Sequence, residues 1–221
     1  HSIHQKGFDS FTTAEYAEGV RWLKDALEAG GWDVHYQPAH VAVREFPFTA
    51  EDLAAYDCVM LSDIGANTLL LHPDTFVRSK PMPNRLEDIR DYVANGGGFV
   101  MIGGYLTFED ILPVTMDIGD DRVEAPQGVA PKVTDASHPI VAGIEGAWPD
   151  LLGYNHLTPK AEGDVIVTVG EDPLIVAGTY GKGRSVAFSS DCGPHWAPPP
   201  FVDWAEYQRL WQQIAAWSAG A

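Results

Sequence analysis

Asn95-Gly-Gly-Gly-Phe-Val-Met-Ile-Gly-Gly-Tyr-Leu-Thr-Phe108 decides how this chain is read. The three glycines close a preceding helix, because glycine enters the left-handed region at no steric cost. Phe99 to Ile102 is a short apolar run, the pattern of a strand covered on both faces. A sharp turn follows at Gly103-Gly104. In many α/β enzymes such a strand-to-turn corner lifts a nucleophile above the sheet edge. Neither Cys nor Ser stands here. The corner has the backbone of a catalytic elbow without its reactive side chain.

Working outward, helix and strand patterns alternate. Residues 14–29 carry Tyr16, Val20, Leu23 and Leu27 at helical spacing, with Thr12 or Thr13 as cap and Gly30-Gly31 as stop. Residues 32–36 and 57–62 read as strands, with a short helix near residues 51–56 after Thr49. Asn84 opens another helix, with Glu87 placed as in a capping box and Leu86, Ile89, Tyr92 and Val93 as its apolar stripe. Beyond Tyr105 the pattern changes to successive strands over 123–133, 151–157, 165–169, 174–180 and 185–189. Gly181-Lys182-Gly183 fits a hairpin turn. Residues 204–217 form a closing helix rich in tryptophan. The expectation is one α/β domain over residues 1–221: a mainly parallel, doubly wound sheet flanked by helices, with a β-rich C-terminal half. Such a domain opens on a central strand, yet His1-Ser-Ile-His4 contains no apolar run. Phe108-Glu-Asp-Ile111 is also abrupt. A first strand before residue 1 and a loop after Phe108 are therefore expected beyond the given sequence.

Composition narrows the function classes. Hydrophobic residues make up 45% and charged residues 20%, the balance of a globular protein that dissolves in water. No apolar run reaches the length of a membrane span. Cys58 and Cys192 are the two cysteines, too few for a disulfide scaffold and suited to the cytoplasm. A formal charge of -17, with a sequence pI near 4.6, repels phosphate backbones and anionic lipid. Neither nucleic acid nor membrane is expected as a partner.

Six stretches together resemble the class I glutamine amidotransferase-like proteins. They are His1-Ser-Ile-His-Gln-Lys-Gly-Phe-Asp-Ser-Phe11, Ser62-Asp-Ile-Gly-Ala-Asn67, residues 96–108, His138-Pro-Ile-Val-Ala-Gly143, Leu152-Gly-Tyr-Asn155 and Ser190-Asp-Cys-Gly-Pro-His-Trp196. The resemblance is to an uncharacterised bacterial cytoplasmic branch related to the trehalose-utilisation type of domain. It implies a flavodoxin-like fold, a first strand just before His1 and a longer loop after Phe108. It does not imply glutaminase activity. Working amidotransferases place a Cys at the elbow and later supply a His and a Glu. By position the elbow falls on Gly103-Gly104, only His195 lies where the His falls, and Ala197 stands where the Glu belongs. Without a thiolate the acyl-enzyme route is closed.

Ligands of open α/β sheets bind outside the carboxyl ends of the strands. The segments expected to meet there supply His1, His4, Asp9, Asp63, Asn67, Gly103, Gly104, Tyr105 and Trp196 as ligand-binding residues. Bare backbone at the two glycines offers peptide N–H donors. The polar and aromatic side chains suit a small polar metabolite such as a carbohydrate. His1, His4 and Asp9 are of metal-ligand type, but their spacing matches no ligand box, so no metal and no cofactor is assigned. A second reading is a hydrolase or lyase using Cys192, His195 and Asp191, since a Cys close to a His can ionise to a nucleophile. A third is a non-catalytic subunit of a homo-oligomer, held by the aromatic C-terminal helix.

Overall fold

A computed structural model describes residues 18–62, 64–103, 108–116 and 121–221. Its elements run α1 (Glu18–Ala29), α2 (Ala39–Glu45), α3 (Ala50–Leu53), β1 (Cys58–Ser62), α4 (Ala66–Leu70), α5 (Pro73–Arg78), α6 (Arg85–Ala94) and β2 (Gly98–Ile102). The second half continues with β3 (Val114–Thr115), β4 (Arg122–Val129), β5 (Pro131–Val133), β6 (Leu151–Asn155) and β7 (Thr158–Pro159). It closes with β8 (Asp164–Val169), β9 (Asp172–Tyr180), β10 (Gly183–Phe188), α7 (Pro199–Val202) and α8 (Tyr207–Ser218).

The decisive stretch folds as read. Every residue of β2 is buried. Val100 and Ile102 face one apolar cluster, with α1 and α8 packed over it. Phe99 and Met101 face a second cluster, under α6. This two-sided burial is why the run shows no polar alternation, and each such side chain stabilises the fold by about 1.5–3 kcal/mol. Asn84 caps α6 by accepting from the Leu86 N–H at 3.2 Å, and its own amide donates to Glu87 Oε1 at 3.0 Å. Thr49 Oγ1 caps α3 by accepting from Asp52 N at 3.1 Å. His72 and His138 start the short helices that follow them, each accepting a backbone N–H at Nδ1.

The main sheet is mixed, in the order β1-β2-β10-β9-β8-β5. β1, β2 and β10 are mutually parallel, in the register Ser62 beside Ile102 beside Phe188. The remaining three pairs are antiparallel. The parallel character expected of the sheet thus holds for these three strands and gives way beyond them. The cause is connection length: the turn at Gly181 and Lys182 joins β9 to β10, and a turn that short can link only antiparallel neighbours. The strand expected over residues 32–36 is not formed: the segment has no strand partner among the described residues. The helix read from residue 14 is described from Glu18 on. Thr12 and Thr13 lie outside the described residues.

The tryptophan-rich C-terminus is built mostly into the core. Trp211 is completely buried against Phe188, with ring centroids 4.9 Å apart. Trp204 packs on Trp148 at 4.9 Å, and Trp217 on His138 at 5.2 Å. Gln212 Nε2 ties α8 to α1 by donating to the Ala26 carbonyl at 2.8 Å.

Candidate functional site at the carboxyl ends of the parallel strands

Because β1, β2 and β10 run in the same direction and in register, their carboxyl ends lie side by side. Ser62 closes β1, Gly103 follows β2, and residues 189–196 leave β10. Gly103 has φ +87, a conformation that favours glycine, and its N–H donates to the Phe188 carbonyl at 2.9 Å. Gly103 carries no side chain there, and Gly104, the second residue of the expected corner, lies outside the described residues. Ser62 Oγ lies 3.9 Å from Cys192 Sγ, which joins the first and third of these strand ends.

The segment after β10 is anchored before it presents anything. Ser189 Oγ donates to the Pro173 carbonyl at 2.9 Å, and Ser190 Oγ to the Gly153 carbonyl at 2.7 Å. The Tyr207 hydroxyl donates to the Cys192 carbonyl. Leu152 N donates to the Trp196 carbonyl at 2.8 Å. β6 thus runs alongside the whole segment. At Gly153 a Cβ would stand 2.2 Å from the Trp196 indole nitrogen, so this glycine is what lets the ring lie flat against β6. The indole N–H then donates to Glu124 Oε2 on β4 at 3.2 Å.

On this anchored loop Asp191 and His195 are brought together. Asp191 Oδ2 accepts from the Trp196 backbone N–H at 3.1 Å and stands 2.9 Å from His195 Nδ1. The His195 ring stacks on Trp196, with centroids 5.2 Å apart and planes 21° from parallel. Its side chain is 31% exposed, against 9% for Asp191. His195 also has φ +145, a region that residues with a Cβ rarely enter. A carboxylate on Nδ1 favours the tautomer with its proton on that nitrogen, which makes Nε2 the acceptor nitrogen of the ring. The arrangement can accept a hydrogen bond or a proton from a bound hydroxyl or amine.

Cys192 is placed differently from its two neighbours in sequence. It is 0% exposed, within the cluster under α1 and α8, and Asp191 is the carboxylate partner of His195. Cys58 is a strand residue whose thiol is pushed up to about 12, by burial first and by the Asp57 carboxylate second. Asn67 stands exposed in the first turn of α4, just past the end of β1. His1, His4, Asp9, Asp63, Gly104 and Tyr105 fall outside the described residues. Among the described residues no group of three His, Cys, Asp or Glu side chains is arranged to hold a metal ion. Sequence reasoning passed over Glu124 and gave Ser190 no role beyond its place in a family stretch; the two fix the loop from β4 and toward β6. Nothing in their local sequence distinguishes them from ordinary strand and turn residues.

Comparison with known proteins matches residues 1–219 to a family described as "Putative glutamine amidotransferase". The chain belongs to this amidotransferase-like family. A solved cytoplasmic protein from Salmonella typhimurium is 41% identical, covering 90% of this chain and 87% of its own, with a TM-score of 0.87. A second cytoplasmic protein, from Salmonella typhimurium LT2, is 43% identical over 92% of this chain and 89% of its own, also at 0.87. A "Putative thua-like protein" from Parabacteroides merdae shares the fold at 17% identity and a TM-score of 0.66, covering 94% of this chain and 86% of its own. No curated protein matches the chain. Among the described residues no helix is long and apolar enough to cross a membrane.

Proposed function

We propose that this cytoplasmic amidotransferase-like protein has no glutaminase activity and binds a small polar metabolite at the carboxyl ends of its parallel strands. The observation that carries this reading is His195. A non-glycine residue held at φ +145 costs about 1–3 kcal/mol, and such strain persists where a site needs a side chain in a set direction. Asp191 sets that direction, Trp196 supplies a flat apolar face beneath the His195 ring, and Gly103 at the neighbouring strand end carries no side chain. A carbohydrate, with hydroxyls for His195, is the ligand class we favour.

The test is a thermal-shift panel of sugars, sugar acids and amino acids. A ligand that binds the folded state alone raises the melting temperature by mass action. At least one panel member is expected to do so, and Asp191→Asn, which replaces the acceptor for His195 Nδ1, weakens that response about tenfold or more. A flat response across the panel overturns the reading. The alternative use of Cys192, His195 and Asp191 as a hydrolase or lyase is supported less, since the Cys192 side chain is wholly buried. The homo-oligomer reading draws support from α5 rather than from the C-terminal helix: Phe76 is 67% and Val77 80% exposed. Light scattering decides it.

A further inference from the structure

Glu124 of β4 pairs in register with Gly153 of β6, the glycine against which Trp196 lies. Its Oε2 accepts from the indole N–H at 3.2 Å, and among the described residues its Oε1 has no partner. Glu124 is exposed, whereas Trp196 is 5% exposed. Because the His195 ring stacks on this same indole, the carboxylate and the imidazole are one aromatic ring apart. The β4–β6 ladder breaks directly after Glu124 and resumes at Val129, opposite Leu151. A break of this kind bends the strand and re-aims the side chain beside it. Holding an indole N–H requires no charge, since a neutral amide oxygen accepts it as well. The anchoring of Trp196 therefore leaves the negative charge and the second oxygen of Glu124 unexplained.

The groups around this oxygen select among polar ligands. Nearby N–H donors are already engaged. His195 Nδ1 faces Asp191, Asn155 Nδ2 donates to Asp121 Oδ1 at 3.0 Å, and the indole serves Glu124 itself. Arg122, two residues back on the same face of β4, makes interactions of its own. Asp121, Glu124 and Asp191 thus place three carboxylates along β4, β6 and the loop after β10, in a chain of formal charge -17. A ligand carboxylate or phosphate brought to Glu124 meets like charge. A hydroxyl gains a hydrogen bond to one ionised partner, and an ammonium adds the attraction of a full opposite charge. We infer that Glu124 is a specificity-determining residue of the strand-end site, and that the ligand it selects is an amine-bearing polyol such as an amino sugar. The ammonium sits on Glu124 Oε1 and a hydroxyl points toward His195. This inference rests on the proposed metabolite site and narrows its ligand from carbohydrates at large to cationic ones.

Matched ligands test it by calorimetric titration near neutral pH, where the amines are mostly charged. D-glucosamine and D-galactosamine are compared with D-glucose, D-galactose, N-acetyl-D-glucosamine and D-glucuronate. Each amine is expected to bind about tenfold or more tightly than its neutral parent, with N-acetyl-D-glucosamine behaving as a neutral sugar and D-glucuronate weakest. Glu124→Gln keeps an acceptor for the indole N–H and removes the charge. Its unliganded stability should stay at the wild-type value, and its preference for the amine should vanish. A preference that survives in Glu124→Gln overturns the inference, because Glu124 is then only an anchor for Trp196. Equal binding of amines and neutral sugars by the wild type, or tightest binding of D-glucuronate, also overturns it and leaves the metabolite site standing; this comparison needs no variant. No binding of any of these sugars overturns the inference and the metabolite site together.

Discussion

Arg85→Met is expected to lower folding stability by about 3–5 kcal/mol, the range for breaking a buried charged hydrogen-bond network. Arg85 is 1% exposed, and its acceptors are main-chain carbonyls. Nε donates to Leu69 O at 2.7 Å, Nη1 to Ala42 O at 3.0 Å and Phe46 O at 3.2 Å, and Nη2 to Val43 O at 2.7 Å. Burial pushes the guanidinium below its usual range, but a group that starts at 12.5 stays charged near neutrality. A cation at the last carbonyls of a helix satisfies them and opposes the negative end of the helix dipole. Arg85 does this for α2 and α4 together. Methionine fills part of the volume and satisfies none of the four carbonyls. Arg85→Lys keeps the charge with fewer donors and should lose less. Urea denaturation checks both: an Arg85→Met midpoint within error of wild type would mean that water replaces the guanidinium.

The second large effect separates strain from contact at His195. Both His195→Ala and His195→Gly remove the imidazole, its bond to Asp191 and its stacking on Trp196. Only glycine also relieves φ +145. The glycine variant is therefore expected to be more stable than the alanine variant by about 1–3 kcal/mol, an inversion of the usual loss on introducing glycine. Both variants should lose the response to the metabolite. Equal stability of the two would show that position 195 holds no strain, and would remove the main support for a built site there.

These expectations rest on features that differ in how far the sequence discloses them. The β2 run, the Asn84 cap and the Gly181-Lys182 turn are local: a short window contains the residues that decide them. The segment 32–37 has an equally good local pattern, with Trp32, Val34 and Tyr36 alternating, yet makes no strand. A strand needs a neighbour, and among the described residues this one has none. Arg85 was invisible for a related reason. A charged residue in the first turn of a helix reads as a solvent-facing one, and the carbonyls that bury it come from 16 to 43 residues away. At the site, Asp191, His195 and Trp196 were legible as residue types within one short segment. Their pairing was not. Whether His195 meets Cys192 or Asp191 is settled by contacts from Tyr207 and Ser62, which no spacing rule connects to the loop.

Ammonia release from glutamine by the purified, untagged protein is the most direct measurement. The proposed absence of glutaminase activity predicts no release above buffer at any glutamine concentration. Sustained release that disappears in Cys192→Ala would contradict it, and would make the buried thiol the working nucleophile.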